Sequence, residues 1–220
     1  MKLSVVVVCI LVFLGVSSGE QECPCAWCGN GEANCANQLF TQVPGPFPGD
    51  ITGIHMQHNR IKEIKTNDFK GSTKASFIRL DQNDIKTIQT GAFSRFPFLN
   101  DVELSWNKIE SLPDNLFHPD APLVGGIKLT NNKITKFPLG LLKKTRSVIS
   151  ILGNPIHCDC NAVIPGDLKN KVYGRCHTPR HLRGRDISTI TSQDVEGDCN
   201  IATKTTTTTT APITNVVSYS

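Results

Sequence analysis

The 220-residue chain has no G-x-S-x-G elbow, no H-E-x-x-H pair and no glycine-rich phosphate loop. A catalytic triad would need a Ser or Cys nucleophile brought to a histidine and an acid. The six histidines, His55, His58, His118, His157, His177 and His181, form no such set in the sequence. An enzyme is not expected, nor is a cofactor. Charge of one sign is also scarce: a formal net charge of +4 is too small to imply a nucleic-acid partner by itself. No N-x-S/T sequon occurs. The apolar run Leu3–Val16 is shorter than the roughly 20 residues a membrane-spanning helix needs. The stretch Ile201–Ser220 lacks the apolar segment of a lipid-anchor signal. No membrane span is expected in the mature chain.

Met1–Gly19 has the three parts of a secretory signal peptide: Lys2, the apolar centre Leu3–Val16, and Ser17 and Gly19 as small cleavage-site residues. Maturation near Glu20 would remove Cys9. Eight cysteines remain in two groups of four, Cys23, Cys25, Cys28 and Cys35, then Cys158, Cys160, Cys176 and Cys199. An even count behind a signal peptide argues for disulfides, and for a secreted, extracellular protein. The C-x-C and C-x-x-C spacings also suit zinc, which is the weaker reading because an oxidising compartment pairs such thiols.

Between the cysteine groups one pattern recurs. Leu99, Val102, Leu104, Asn107, Ile109, Leu112 and Phe117 follow the order L-x-x-L-x-L-x-x-N-x-L with later apolar residues, the leucine-rich repeat signature. Asn59, Asn83, Asn107, Asn132 and Asn154 head five consecutive copies, at separations of 24, 24, 25 and 22 residues. Before them stand Ile54/Met56, Ile78/Leu80, Val102/Leu104, Ile127/Leu129 and Ile149/Ile151. The expected fold class is α/β: a leucine-rich repeat solenoid, with a curved parallel sheet on the concave face, loops and 3₁₀ turns on the convex face, and disulfide caps. Each asparagine should turn inward to satisfy backbone groups at the strand end. Phe69, Phe93 and Phe117 should stack along the convex side.

The chain divides into a signal peptide at 1–19, an N-terminal cysteine cap at 20–49, repeats at 50–146, a last repeat with a C-terminal cysteine cap at 147–200, and a Thr-rich stalk at 201–220. A solenoid needs caps because its end repeats would otherwise expose apolar surface. Asn161–Lys171 is the segment expected to be helical, although Pro165 and Gly166 lie inside it. The stalk, with Thr205–Thr210, cannot bury a core.

Cys23-Pro24 with Cys35 and Leu39…Pro44 resembles the N-terminal cap of extracellular leucine-rich repeat proteins. Asn154-Pro155…Cys158-Asp159-Cys160…Cys176-His177-Thr178-Pro179…Leu182-Arg183-Gly184 resembles their C-terminal cap. Few repeats, two caps and a Thr-rich stalk are together most similar to the variable lymphocyte receptors of jawless vertebrates and receptor-like relatives. The chain departs from them at Ile156, where the family has Trp, and in lacking a long insertion in the second cap. The resemblance implies pairing of Cys158 with Cys176 and of Cys160 with Cys199. Four cysteines allow three connectivities in the first cap; the expectation there is Cys23–Cys28 with Cys25–Cys35.

The register assigns His55, Gln57, Phe77, Arg79, Asp81, Asp101, Glu103, Ser105, Trp106, Lys128 and Thr130 to the concave, ligand-binding face. Phe77 and Trp106 are either partner anchors or residues that pack along a neighbour. His55 and His58 are either pH sensors or solvated polar residues. Asp81, Asp101 and Glu103 should share an acidic patch that Arg79 and Lys128 flank. The basic run Tyr173–Arg185 could bind a sulfated glycan, but it also matches the cap's own structure. The resemblance implies antigen recognition, with microbial surface polymers or protein antigens as partners. The alternative is a matrix or adhesion protein that binds an endogenous protein. A third reading is a subunit that dimerises through its concave face.

Overall fold

The computed structural model describes residues 23–199, so the signal peptide at 1–19 and the stalk at 201–220 lie outside the described residues. The fold begins with a hairpin. Asn30 and Gly31 both take positive φ, 51° and 79°, and close a two-residue turn between β1 (Trp27–Gly29) and β2 (Glu32–Asn34). Asn-Gly is the pair such a turn favours, because both central residues must be left-handed. The array follows as β3 (Gly53–His55), β4 (Glu63–Ile64), β5 (Phe77–Arg79), β6 (Thr87–Ile88), β7 (Asp101–Glu103) and β8 (Gly126–Lys128). After helix α1 (Leu139–Thr145) come β9 (Ile149–Ser150), β10 (Val172–Tyr173) and helix α2 (Glu196–Cys199).

Eight strands form one sheet in the order β1-β2-β3-β5-β7-β8-β9-β10, parallel everywhere beyond the first hairpin. β4 and β6 pair separately as a short parallel sheet. Ile54, Ile78, Val102, Ile127 and Ile149 are in register on successive strands and fully buried. Each contributes about 1.5–3 kcal/mol through burial. Five buried asparagines lock the stack. The Asn107 amide donates to Leu80 O (2.9 Å) in the preceding repeat and to Leu104 O (3.1 Å) in its own, and its oxygen accepts from Ile85 N–H (3.0 Å). Asn83, Asn132 and Asn154 repeat that pattern one rung along. Asn59 ties the first repeat to the N-terminal cap through Cys35 O (2.8 Å) and the N–H groups of Gln38 and Phe40.

On the convex side Phe47, Phe69, Phe93 and Phe117 stack with centroids 6.0, 5.7 and 5.6 Å apart, and Phe96 packs edge-on to Phe69 at 5.6 Å. One expectation changes. Asn161–Lys171 is not one helix: Cys160–Ala162 and Gly166–Lys171 are separate 3₁₀ turns. Pro165 stands between them, where its fixed φ and missing N–H stop propagation. The longer of the two described α-helices is α1 instead, where Leu141 and Leu142 are buried and Lys143 and Lys144 occupy the last turn. In the caps Cys23 bonds Cys28, Cys25 bonds Cys35, and Cys158 bonds Cys176. The bond expected between Cys160 and Cys199 falls on a side chain outside the described residues.

Candidate ligand-binding face

The sheet face turned away from the core carries the residues between the buried apolar pairs. His55, Arg79, Glu103, Lys128, Ser150 and Tyr173 make one row across β3, β5, β7, β8, β9 and β10. Phe77 and Asp101 belong to the row beside it, between Gly53 and Gly126. Gln57, Asp81, Ser105 and Thr130 form a third row just past the strands. There the backbone continues to pair, as in His58 N–H to Asp81 O (3.1 Å) and Gln82 N–H to Ser105 O (3.0 Å).

Phe77 packs rather than projects. A Cβ placed on Gly53 would sit 2.3 Å from Phe77 Cζ and 2.1 Å from Glu32 Oε2, so both side chains lie over the glycine. His55 completes the group, meeting the Phe77 ring edge-on at 5.2 Å and Glu32 Oε2 at 2.9 Å. His55 is therefore held by a carboxylate and is not a free solvated group. Glu32, a residue of the cap hairpin, joins the face through this contact. The stretch of the face over Gly53 is thus filled by its own side chains.

The acidic patch is not an open one. Lys128 Nζ lies 2.7 Å from Asp101 Oδ2 and 4.0 Å from Glu103 Oε2. The other Glu103 oxygen accepts the Ser105 N–H at 3.0 Å. Asp81 is half-buried, with its Oδ1 and the Oε1 of Gln57 enclosed without a hydrogen-bond partner. Ser105 is also withdrawn, at 9% exposure. Thr130 is half-buried and shares a hydrogen bond with Ser150 (3.2 Å).

Trp106 differs from all of these. It sits in the turn that follows the strand, not on the strand, with φ 59° and 61% of its surface exposed. His58, Gln82 and Asn131 adopt the same left-handed conformation at the matching positions, with φ 55–58°, and Gly153 closes the series at 69°. The turn before each ladder asparagine imposes this geometry, which costs an ordinary residue roughly 1–2 kcal/mol. Two further exposed apolar side chains lie on the same face towards the C-terminal cap, Leu152 at 42% and Tyr173 at 55%. Tyr173 pairs with Ser150 through β10, inside a cap segment with no repeat period to place it. In the basic run, Arg185 is engaged internally by Asp194 at 2.5 and 3.2 Å.

This architecture is a leucine-rich repeat solenoid with disulfide caps, and the relatives of the chain are leucine-rich repeat proteins. Asporin of Bos taurus is 31% identical over 129 residues, which cover 55% of this chain and 34% of asporin. Opticin of Canis lupus familiaris is 33% identical over 97 residues, 44% of this chain and 29% of opticin. Leucine-rich repeat-containing protein 3B of Homo sapiens is 27% identical over 155 residues, 70% of this chain and 50% of that protein. The chain therefore spans between about a third and a half of the curated relatives it matches. No protein-family model matches it. Two solved structures share the fold at 22% identity. The mouse RP105/MD-1 complex aligns with TM-score 0.52 over 66% of this chain and 26% of its own. The TLR13–ssRNA13 complex aligns with TM-score 0.54 over 63% and 20%. Among the described residues no helix is long and apolar enough to cross a membrane.

Proposed function

We propose that the protein is a non-catalytic extracellular recognition module that holds an endogenous protein partner against the C-terminal half of its concave face. The observation that carries this is Trp106, 61% exposed in its turn where the neighbouring repeats place His, Gln and Asn. Exposed aromatic residues with apolar neighbours are the usual anchors of protein interfaces. Leu152 lies two strands from Trp106, roughly 10 Å by strand spacing, and Tyr173 lies one strand further. The Lys128–Asp101–Glu103 group borders them and supplies a polar rim.

The matrix or adhesion reading has better support than the microbial one. Asporin, opticin and biglycan are small leucine-rich proteoglycans of the extracellular matrix, and disulfides in both caps suit that compartment. The variable-lymphocyte-receptor-like reading rests on the few repeats, the two caps and the Thr-rich stalk taken together. Binding of the purified protein to a panel of matrix proteins and to heat-killed bacterial and yeast cells separates the two. Saturable binding to a matrix protein, weakened by Trp106→Ala, is the expected result. Binding to cells alone would overturn the endogenous-partner reading.

A further inference from the structure

A second exposed surface runs beside the concave face. It is built from the residues that follow each ladder asparagine. Ile61, Ile85, Ile109 and Ile134 are fully buried, and the residues on either side of each are directed outward. These outward positions are Arg60 and Lys62, Asp84 and Lys86, Lys108 and Glu110, Lys133 and Thr135, five cations against two acids. Backbone bonds keep them in rungs: Lys86 N–H donates to Lys62 O (2.9 Å), Lys108 N–H to Ile85 O (2.8 Å) and Lys133 N–H to Ile109 O (2.9 Å). Stacked repeats thus repeat positive charge at roughly the strand spacing of 4.8 Å.

The charge also converges. Lys86, Lys108 and Lys133 line one open depression of about 490 Å³, with Glu110, Thr135 and Pro155 as its other walls. Asp84 offsets part of this charge, and the outward positions keep an excess of three cations (five less two). The Asp84 carboxyl bonds Lys108 at 2.6 Å and is held below the usual carboxylate range by that bond, with Lys62 and Arg60 adding to the field. Folding gives no reason to gather these lysines, since like charges at this separation repel.

We propose that this flank binds a linear sulfated polysaccharide. Such chains are the polyanions found outside cells, and a row of flexible ammonium groups suits sulfates spaced along a chain. A single-stranded nucleic acid fits less well. Proteins that bind one commonly offer aromatic platforms to the bases, and none of the exposed aromatic side chains among the described residues occupies these flank positions. The surface is separate from the concave face, so either proposal can fail alone.

The probe is heparin, applied to the whole protein. The wild type should bind it, with affinity falling as salt rises. The triple variant Lys86→Gln, Lys108→Gln, Lys133→Gln should bind at least about ten-fold more weakly with an unchanged melting temperature. Trp106→Ala and the cap variant Arg175→Gln, Arg180→Gln, Arg183→Gln should bind like the parent. Unsulfated hyaluronan and a single-stranded RNA oligonucleotide should compete poorly. The proposal is overturned if the wild type does not bind heparin, or if the flank variant binds as the parent does. It is equally overturned if the cap variant accounts for the loss, or if either competitor displaces heparin as well as heparin itself does.

Discussion

Trp106 and Asn107 are adjacent, and the left-handed turn sends the first side chain into solvent and the second beneath the backbone. Their substitutions should therefore separate stability from binding. Asn107→Ala would strand Leu80 O, Leu104 O and Ile85 N–H in the core. Each buried unsatisfied group costs about 1–3 kcal/mol, so urea denaturation should show a loss of about 3 kcal/mol or more. Trp106→Gly relieves the left-handed strain while adding unfolded-chain entropy, two effects of about 1 kcal/mol and opposite sign. Its melting temperature should stay close to the parent's, and its binding to the partner should weaken about 30-fold, the factor equal to 2 kcal/mol. The sequence placed Trp106 on this face because the repeat period counts outward positions. It did not show that the residue lies in a turn, since the conformation follows from the asparagine ladder that closes behind it. Nor did it show Phe77 lying across Gly53. That packing depends on a glycine in one repeat and an aromatic ring in the next.

At the scale of elements, the Phe stack and the C-terminal cap carry distinct predictions. Phe93 touches Phe69 and Phe117 and is fully buried. Phe93→Ala should cost about 3–5 kcal/mol and broaden the unfolding transition, because each repeat is stabilised chiefly by its neighbours. In the cap, hydrogen bonds from Arg185 and from Thr191 hold the Asp194 carboxyl well below its ordinary range. A carboxylate whose folded pKa is lowered stabilises the fold above its unfolded pKa of about 4, and that stability is lost as pH falls towards the folded value. Arg185→Gln should therefore melt earlier than the parent at neutral pH, and the gap should narrow as thermal melts are taken below about pH 4. The repeats were legible because a 24-residue period repeats one physical requirement many times. The caps have no period. The first hairpin closes on a local Asn30-Gly31 turn that the repeat pattern does not reach, and Tyr173 reaches the face only through a strand pairing that no pattern announces. Pro165 divides Asn161–Lys171 into two 3₁₀ turns, and the longer helix forms at Leu139–Thr145, where Leu141 and Leu142 meet the core.

As a whole molecule, the protein is an elongating stack in which one strand per repeat builds one side and an irregular return builds the other. On the concave face Glu32, His55 and Phe77 pack over Gly53 and separate Trp27, exposed on the first hairpin, from the exposed group Trp106, Leu152 and Tyr173 at the C-terminal end. A partner is therefore expected to bury Trp106 and to leave Trp27, in the N-terminal cap, as exposed as before. Only two tryptophans occur in the chain, so Trp27→Phe makes Trp106 the sole indole reporter. The decisive measurement is a fluorescence titration of that variant with the matrix protein to which the wild type binds. The account predicts a saturable blue shift of the emission, and protection of Trp106 from acrylamide quenching, with the same midpoint as binding. Saturable binding that leaves both the emission and the quenching of Trp106 unchanged would contradict it.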